Sequence, residues 1–447
     1  MKYNQETRKS ISRRPVSVFV LIAACLVCIL ATALIVRTIM YNRVGGRQNY
    51  DQVRNYLEIV NTIRDNYVND FDESKINSTV GKAIVDRLGD KWSYYMSPEE
   101  YDLYKLSNEN EYEGVGITIY RASENEDYQI TSVIAGSPAE EAGLEVGMIL
   151  EKVDGEPVKD LTPTELREKI LSKLNSSVLL TVSQNGKSQS ISVDCKKNYQ
   201  NPVSYEMKEN NVGYIRIENF NAGSAEEAQK AVQSLINVGA TSLVFDVRDN
   251  PGGLVSELTK LLDYLLPEGD IFVSIDRDGK ETVTTSDNMC TQIPMVILVN
   301  ENTYSAAEYF AAALREYSWG TVVGSKTTGK AESQITIPLS DGSAIHISSQ
   351  KYLTPQRVDL AAQGGITPDV VVANKETDTQ NASAGEQESE SGSGNTTQEN
   401  SGTSQNDSTG TTGDAAETED GTGSATSGEN IDLQLLRAIE IARNAAA

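Results

Sequence analysis

Residues 295–334 read M-V-I-L-V-N-E-N-T-Y-S-A-A-E-Y-F-A-A-A-L-R-E-Y-S-W-G-T-V-V-G-S-K-T-T-G-K-A-E-S-Q. Met295–Val299 is a short apolar run and predicts a buried strand. Ser305 then opens an apolar helix through Tyr317. A serine at a helix start meets free N–H groups and the positive end of the helix dipole. That setting suits a nucleophile whose product is an oxyanion, and the Ala306 N–H is placed to face it. Serine is also a favoured N-cap, and taken alone Ser305 reads as one.

The alternation continues upstream. Tyr214–Ile217 predicts a strand, Ser224 caps a helix through Val238, Ser242–Asp246 predicts a strand and Leu254–Leu265 a helix. Strands alternating with helices over residues 197–374 predict an α/β layer. Between the second strand and its helix stands Asp246-Val247-Arg248-Asp249-Asn250-Pro251-Gly252-Gly253. The two glycines let the backbone approach a ligand closely and offer N–H donors.

Lys330 follows the serine and is a candidate base. A solvated lysine is protonated near neutral pH, so this role requires burial that frees the neutral amine. Gln334 is placed to hold it through an amide hydrogen bond. Four residues of strand span roughly 13 Å, so the chain must bend or the lysine must reach back. The chain's one histidine, His346, lies in an alternating strand and reads as structural. A single histidine also argues against a metal centre. Gly324 to Lys330 matches most of a phosphate-binding loop, but Ala331 stands where Ser or Thr would hold magnesium, which excludes a nucleotide hydrolase.

The order D-V-R-D-N-P-G-G, N-x-x-T-Y-S-A-A-E and T-G-K-x-x-x-Q resembles the carboxyl-terminal processing peptidases, also called tail-specific proteases. Lys351-Tyr352-Leu353-Thr354-Pro355 and Gly365-Ile366-Thr367-Pro368-Asp369 match their closing strands. The resemblance implies a catalytic set of Ser305, Lys330 and Gln334. It implies an oxyanion hole of Gly252 and Ala306, and a core of crotonase/ClpP-like β-β-α layers. It implies no cofactor, substrates with apolar C-termini, and a homodimer built from the terminal helices. The rival reading is a catalytically inactive, membrane-anchored scaffold that binds peptide C-termini.

Residues 111–196 change to short strands with two short helices, and Asp154-Gly155 and Asn185-Gly186 predict tight hairpin turns. Glu113-Gly114-Val115-Gly116-Ile117, Ser137-Pro138-Ala139 and Val146-Gly147-Met148-Ile149-Leu150 resemble a PDZ domain. In such a domain a peptide adds as a strand and backbone N–H groups of a glycine loop hold its carboxylate. By that resemblance Gly114, Val115, Gly116 and Ile117 form the loop, and Leu166 and Ile170 on a Pro163–Leu171 helix line the groove. Ser172–Ser177 stands where some relatives carry an arginine that couples ligand binding to activation.

At the N-terminus Val16–Val36 is apolar and long enough to span a bilayer. Lys2, Arg8, Lys9, Arg13 and Arg14 precede it, predicting a cytoplasmic segment 1–15, an anchor 16–36 and an extracytoplasmic body in the cell membrane. Ala31-Thr32-Ala33 offers a cleaved signal peptide as the alternative. Residues 48–110 predict a helical region. Ser97-Pro98-Glu99-Glu100, Ser137-Pro138-Ala139-Glu140 and Thr162-Pro163-Thr164-Glu165 are helix starts.

The net charge is −25, of which residues 375–430 carry much: positions 376–430 hold twelve acids and no Lys or Arg. That balance argues against nucleic acid. This Ser/Thr/Gly-rich segment buries too little apolar surface to order. The amphipathic segment 431–447 predicts a docked terminal helix. Cys25 and Cys28 lie inside the apolar run, and Cys195 and Cys290 make no disulfide framework.

Overall fold

The computed structural model describes residues 17–123, 126–373 and 432–446. The segments expected at 1–15 and 375–430 lie outside the described residues. The chain divides into two units, residues 1–77 and 78–447.

In the first unit α1 (Val18–Arg43) runs past the apolar stretch as one 26-residue helix. It is long and apolar enough to cross a membrane, with a mean hydropathy of 3.1 over its best window and no buried residue. At 1.5 Å per residue it is about 39 Å long, more than the hydrocarbon thickness of a bilayer. α2 (Arg47–Asn66) follows, and Arg64 pairs with Glu73 at 2.7 Å where α3 (Glu73–Asp86) begins.

The region expected to be helical contains one strand, β1 (Tyr94–Met96), because Tyr94, Tyr95 and Met96 suit a half-buried pleat. α4 (Pro98–Asn108) then starts at the expected capping box. Next come β2 (Glu111–Gly114), β3 (Ile117–Tyr120), β4 (Tyr128–Val133), α5 (Pro138–Glu141), β5 (Ile149–Val153), β6 (Glu156–Pro157), α6 (Pro163–Leu171), β7 (Ser176–Gln184) and β8 (Lys187–Tyr199). The strands form one seven-stranded antiparallel sheet, ordered β2-β8-β7-β5-β4-β3 with β6 beside β5. Asp154-Gly155 and Asn185-Gly186 carry positive φ at both residues, as two-residue hairpin turns demand. This module has its own core of Tyr128, Ile130, Leu150, Leu166, Leu180 and Cys195.

The larger layer begins with β9 (Val203–Lys208), β10 (Val212–Ile217), α7 (Ser224–Asn237), β11 (Ser242–Asp246) and α8 (Val255–Leu265). It continues with β12 (Gly269–Asp276), β13 (Glu281–Ser286), β14 (Met295–Val299), α9 (Ala306–Glu316), β15 (Gly320–Gly324), β16 (Glu332–Pro338), β17 (Ala344–Leu353), β18 (Val370–Val371) and α10 (Leu433–Ala445). Ser224 is not the cap of α7. Gly223 holds that position, and the first free N–H, that of Ala225, donates to Glu257 from α8 at 2.9 Å.

A six-stranded sheet runs β18-β15-β14-β11-β10-β9, parallel except for β9. A second, antiparallel sheet joins β1, β17, β12 and β13, with β16 on β17. Every residue of β11 and β14 is buried, so both faces of the parallel sheet are covered. Leu243, Phe245, Ile297 and Val299 face the core shared with α7, α8 and α9. Val244, Val296 and Leu298 face α10 through Ala438 and Ala442. Arg248 ties that helix down: it binds Asp246 at 2.6 Å, Asp432 at 2.8 Å and Gln434 at 3.2 Å. Cys195 and Cys290 are both free.

Candidate active site

Strands β11, β14 and β15 are adjacent and parallel, so their carboxyl ends lie together, where open α/β sheets bind ligands. Each end carries one piece of the sequence pattern. The glycine turn follows β11, Ser305 follows β14 and Lys330 follows β15. Side chains stitch these loops together. Thr303 Oγ1 donates to Val247 O at 2.8 Å, the Asp249 N–H donates to Asn300 Oδ1 at 2.9 Å, and the Tyr304 N–H donates to Asn250 O at 3.2 Å.

Ser305 sits at φ 61° and ψ −124°, outside the extended geometry of an ordinary N-cap. A non-glycine residue held there is strained by on the order of 1–3 kcal/mol. Glu308 holds it. Its carboxylate is fully buried and accepts four hydrogen bonds: from the Ser305 N–H at 3.0 Å, the Lys330 N–H at 2.9 Å, the Gly329 N–H at 2.7 Å and Thr327 Oγ1 at 2.5 Å. One side chain thus binds the serine elbow to the lysine loop. Gly252 lies directly beneath the elbow. At its φ of +90° a Cβ would meet Ser305 Cβ at 2.8 Å and Ala306 N at 2.9 Å.

Ser305, Ala306, Gly252, Lys330 and Gln334 line one cavity of about 610 Å³, with Trp92, Tyr94, Tyr104, Phe272, Tyr309, His346 and Tyr352. Lys330 is 9% exposed, and burial lowers its pKa to about 8 against the opposing pull of Glu332, Asp90 and Glu308. Among the described residues its amine makes no hydrogen bond or ion pair. The hydroxyl of Tyr352, on the same cavity wall as Ser305, donates to the Lys330 carbonyl. The Ala306 N–H has no acceptor among the described residues.

Three expected contacts differ. The Gly252 N–H is not open to the cavity as an oxyanion donor, because it donates to Asn250 Oδ1 at 2.8 Å and so closes the turn internally. Gln334 reaches the cavity through a bulge between Ser333 and Gln334, the bend that the spacing requires. Its amide, however, donates to Glu332 O and Ser348 Oγ rather than to Lys330. Leu166 and Ile170 do not face outward. They are 0% and 7% exposed and belong to the core under α6.

In the glycine loop of the small module, Gly114 and Gly116 have positive φ, and Val115 is buried. Gly116 packs so tightly that a Cβ would strike the Ser137 side chain at 2.3 Å. Ile117 begins β3. His346, in β17, lies on the wall of the cavity that holds Ser305 and Lys330. Burial first, and then the Lys330 charge, lowers its pKa to about 4. It is caged by Tyr94 and Tyr104, and its Nδ1 is 2.9 Å from Thr336 Oγ1.

Sequence reasoning missed Glu308, Asn250, Tyr352 and Trp92. Glu308 was hidden in an ordinary capping-box spacing. A lone buried acid in an otherwise apolar helix was the signal that could have found it.

Residues 211–372 match the sequence profile of Peptidase family S41, and residues 129–183 match that of the PDZ domain. A protein named "Probable CtpA-like serine protease" from Staphylococcus aureus (strain COL) is 30% identical over 331 residues, 73% of this chain and 65% of that protein. The chain therefore spans about two thirds, 65%, of that relative's length. A protein of the same name from Staphylococcus saprophyticus is 28% identical over 373 residues, 82% of this chain and 75% of that protein. The solved structure of a photosystem II D1 C-terminal processing protease aligns with 25% identity and a TM-score of 0.44, covering 74% of this chain and 89% of that one.

Proposed function

We propose that this chain, whose residues 211–372 match Peptidase family S41, is a serine endopeptidase of the C-terminal processing type. The observation that carries this reading is the convergence of Ser305, Lys330 and the glycine turn on one cavity at the ends of three parallel strands. Lys330, with its amine partly neutral near pH 8, takes the Ser305 proton as Oγ attacks the peptide carbonyl. It returns the proton to the leaving amine, and water then releases the acyl group. The Ala306 N–H, already free at the start of α9, meets the oxyanion. Gly252 joins it once its N–H leaves Asn250. Gln334 acts on Lys330 through Ser348 and the segment before β1, not by direct contact.

In this reading the PDZ module binds the C-terminal end of a protein substrate with apolar residues there, and α1 anchors the chain in a membrane. The half-exposed Val53 and Leu57 of α2 supply apolar surface for a second copy. Digestion of a peptide with an apolar C-terminus tests the activity. Wild type is expected to cleave it and Ser305→Ala to leave it intact. Absence of cleavage by both, with the peptide still bound, would favour a membrane-anchored PDZ scaffold instead.

A further inference from the structure

The aromatic group nearest the lysine lies outside both matched domains. Trp92 stands before β1, and its ring centroid is 4.6 Å from Lys330 Nζ. The same ring stacks on Tyr304, the residue before the proposed nucleophile, at 5.7 Å and 26°. Its position is built, not incidental. The Trp92 N–H donates to Asp90 Oδ1 at 3.0 Å, and Ser93 Oγ donates to Asp90 Oδ2 at 2.5 Å. The Ser348 N–H donates to Ser93 Oγ at 3.0 Å, and Gln334 donates to Ser348 Oγ at 3.1 Å. A hydrogen-bonded chain therefore leads from Gln334 to the loop that carries Trp92.

On this basis, and resting on the reading of Lys330 as the base, we propose that Trp92 is a positioning residue whose indole face holds the Lys330 ammonium in the resting site. The physical reason is the negative face of the indole ring, which attracts a cation and is indifferent to a neutral amine. With no hydrogen bond or ion pair among the described residues, the amine has the indole as its closest specific partner. The charged and titratable groups around it are Asp90 and Lys91 from the Trp92 loop, Glu308 from α9, Glu332 from β16 and His346 from β17. Lys91 lies 4.4 Å from the same ring and competes for it. The indole therefore opposes the burial that frees the amine. Proton release from Lys330 and departure from Trp92 toward Ser305 are one event.

The test uses the full chain in detergent, labelled with ε-13C lysine, in a Ser305→Ala background. The Lys330 resonance is the one that Lys330→Met removes. Trp92→Leu keeps an apolar cover but has no ring. It is expected to shift the Lys330 titration to lower pH by roughly half a unit to one unit. Trp92→Phe, a weaker ring, is expected to shift it less in the same direction, and it serves if the leucine variant does not fold. An unchanged or raised midpoint in the folded variant would overturn the proposal. Because this signal does not depend on cleavage, failure of the peptidase reading would appear in the digestion and not here. In the otherwise wild-type chain the acid limb of kcat/KM should move with the titration. A merely structural Trp92 would lower the plateau and leave the limb in place.

Discussion

Among the described residues, four helices have a hydroxyl residue at the N-cap and an acid three residues on: Ser97 to Glu100, Ser137 to Glu140, Thr162 to Glu165 and Ser305 to Glu308. In the first three the hydroxyl residue is extended, with φ between −61° and −81°, and accepts the N–H three residues on. Each has proline next, which fits the first helical turn and removes an N–H that has no partner there. At α9 the residue next to the serine is Ala306, which keeps its N–H, and Ser305 is turned to φ 61°. The acids differ as well. Glu165 caps its own helix start and Glu100 does so while also pairing with Lys82 at 2.8 Å on the surface, whereas Glu308 is buried and holds two loops. The same local pattern thus closes a helix in one place and leaves a donor and a strained serine open in another.

Removing the acids should separate the two kinds of start most sharply. Glu308→Ala strands three buried N–H groups and a hydroxyl, at about 1–3 kcal/mol each before relaxation. The expected result is a loss of about 3–5 kcal/mol in denaturant unfolding, with cleavage lowered by at least about a thousandfold. Glu100→Ala and Glu165→Ala should cost about 1 kcal/mol or less and leave cleavage unchanged. Equal losses at all three positions would break the comparison.

Gly252→Ala puts a methyl against Ser305 and Ala306. It is expected to lower kcat about a hundredfold or more while costing about 1–3 kcal/mol of stability. A fully active Gly252→Ala would mean that the glycine turn has no part in the chemistry.

The pH dependence is the next effect in size. Lys330 must be neutral to act, so kcat/KM should rise about tenfold per pH unit below about 8 and then level. The stability sign follows from the same lowered pKa. Between about 8 and the unfolded value near 10.4, the unfolded chain holds the extra proton. Wild type should therefore gain stability relative to Lys330→Met as pH rises through that window. The smallest effect is at His346. If the histidine only lines the wall, His346→Gln should change kcat/KM by less than about threefold. Complete loss would favour a serine–histidine pair.

Much of this was legible in the residues. The strands Ser242–Asp246 and Met295–Val299 and the helix Pro163–Leu171 agree with the structure to the residue: Met295–Val299 is an apolar run between Pro294 and Asn300, and the helix starts at a Thr162 cap followed by Pro163. The strand Tyr94–Met96 was not legible, since three residues carry no period and its partner β17 lies some 250 residues away. Within the site, Ser305, Lys330 and Gly252 are assigned by the resemblance that their motifs carry together, since Ser305 taken alone reads as a helix cap. The engagement of Gly252 with Asn250, and of Gln334 with Ser348, could not be read from the sequence. Those contacts depend on which of several reachable acceptors a donor finds once distant loops meet.

The central claim is that Ser305 forms the covalent intermediate. Rapid-quench mass spectrometry of the full chain mixed with an activated peptide ester tests it directly. An acyl adduct is expected on Ser305 in wild type, with the adduct absent in Ser305→Ala and strongly reduced in Lys330→Met. An adduct on another residue, or undiminished acylation and cleavage in Ser305→Ala, would contradict the account.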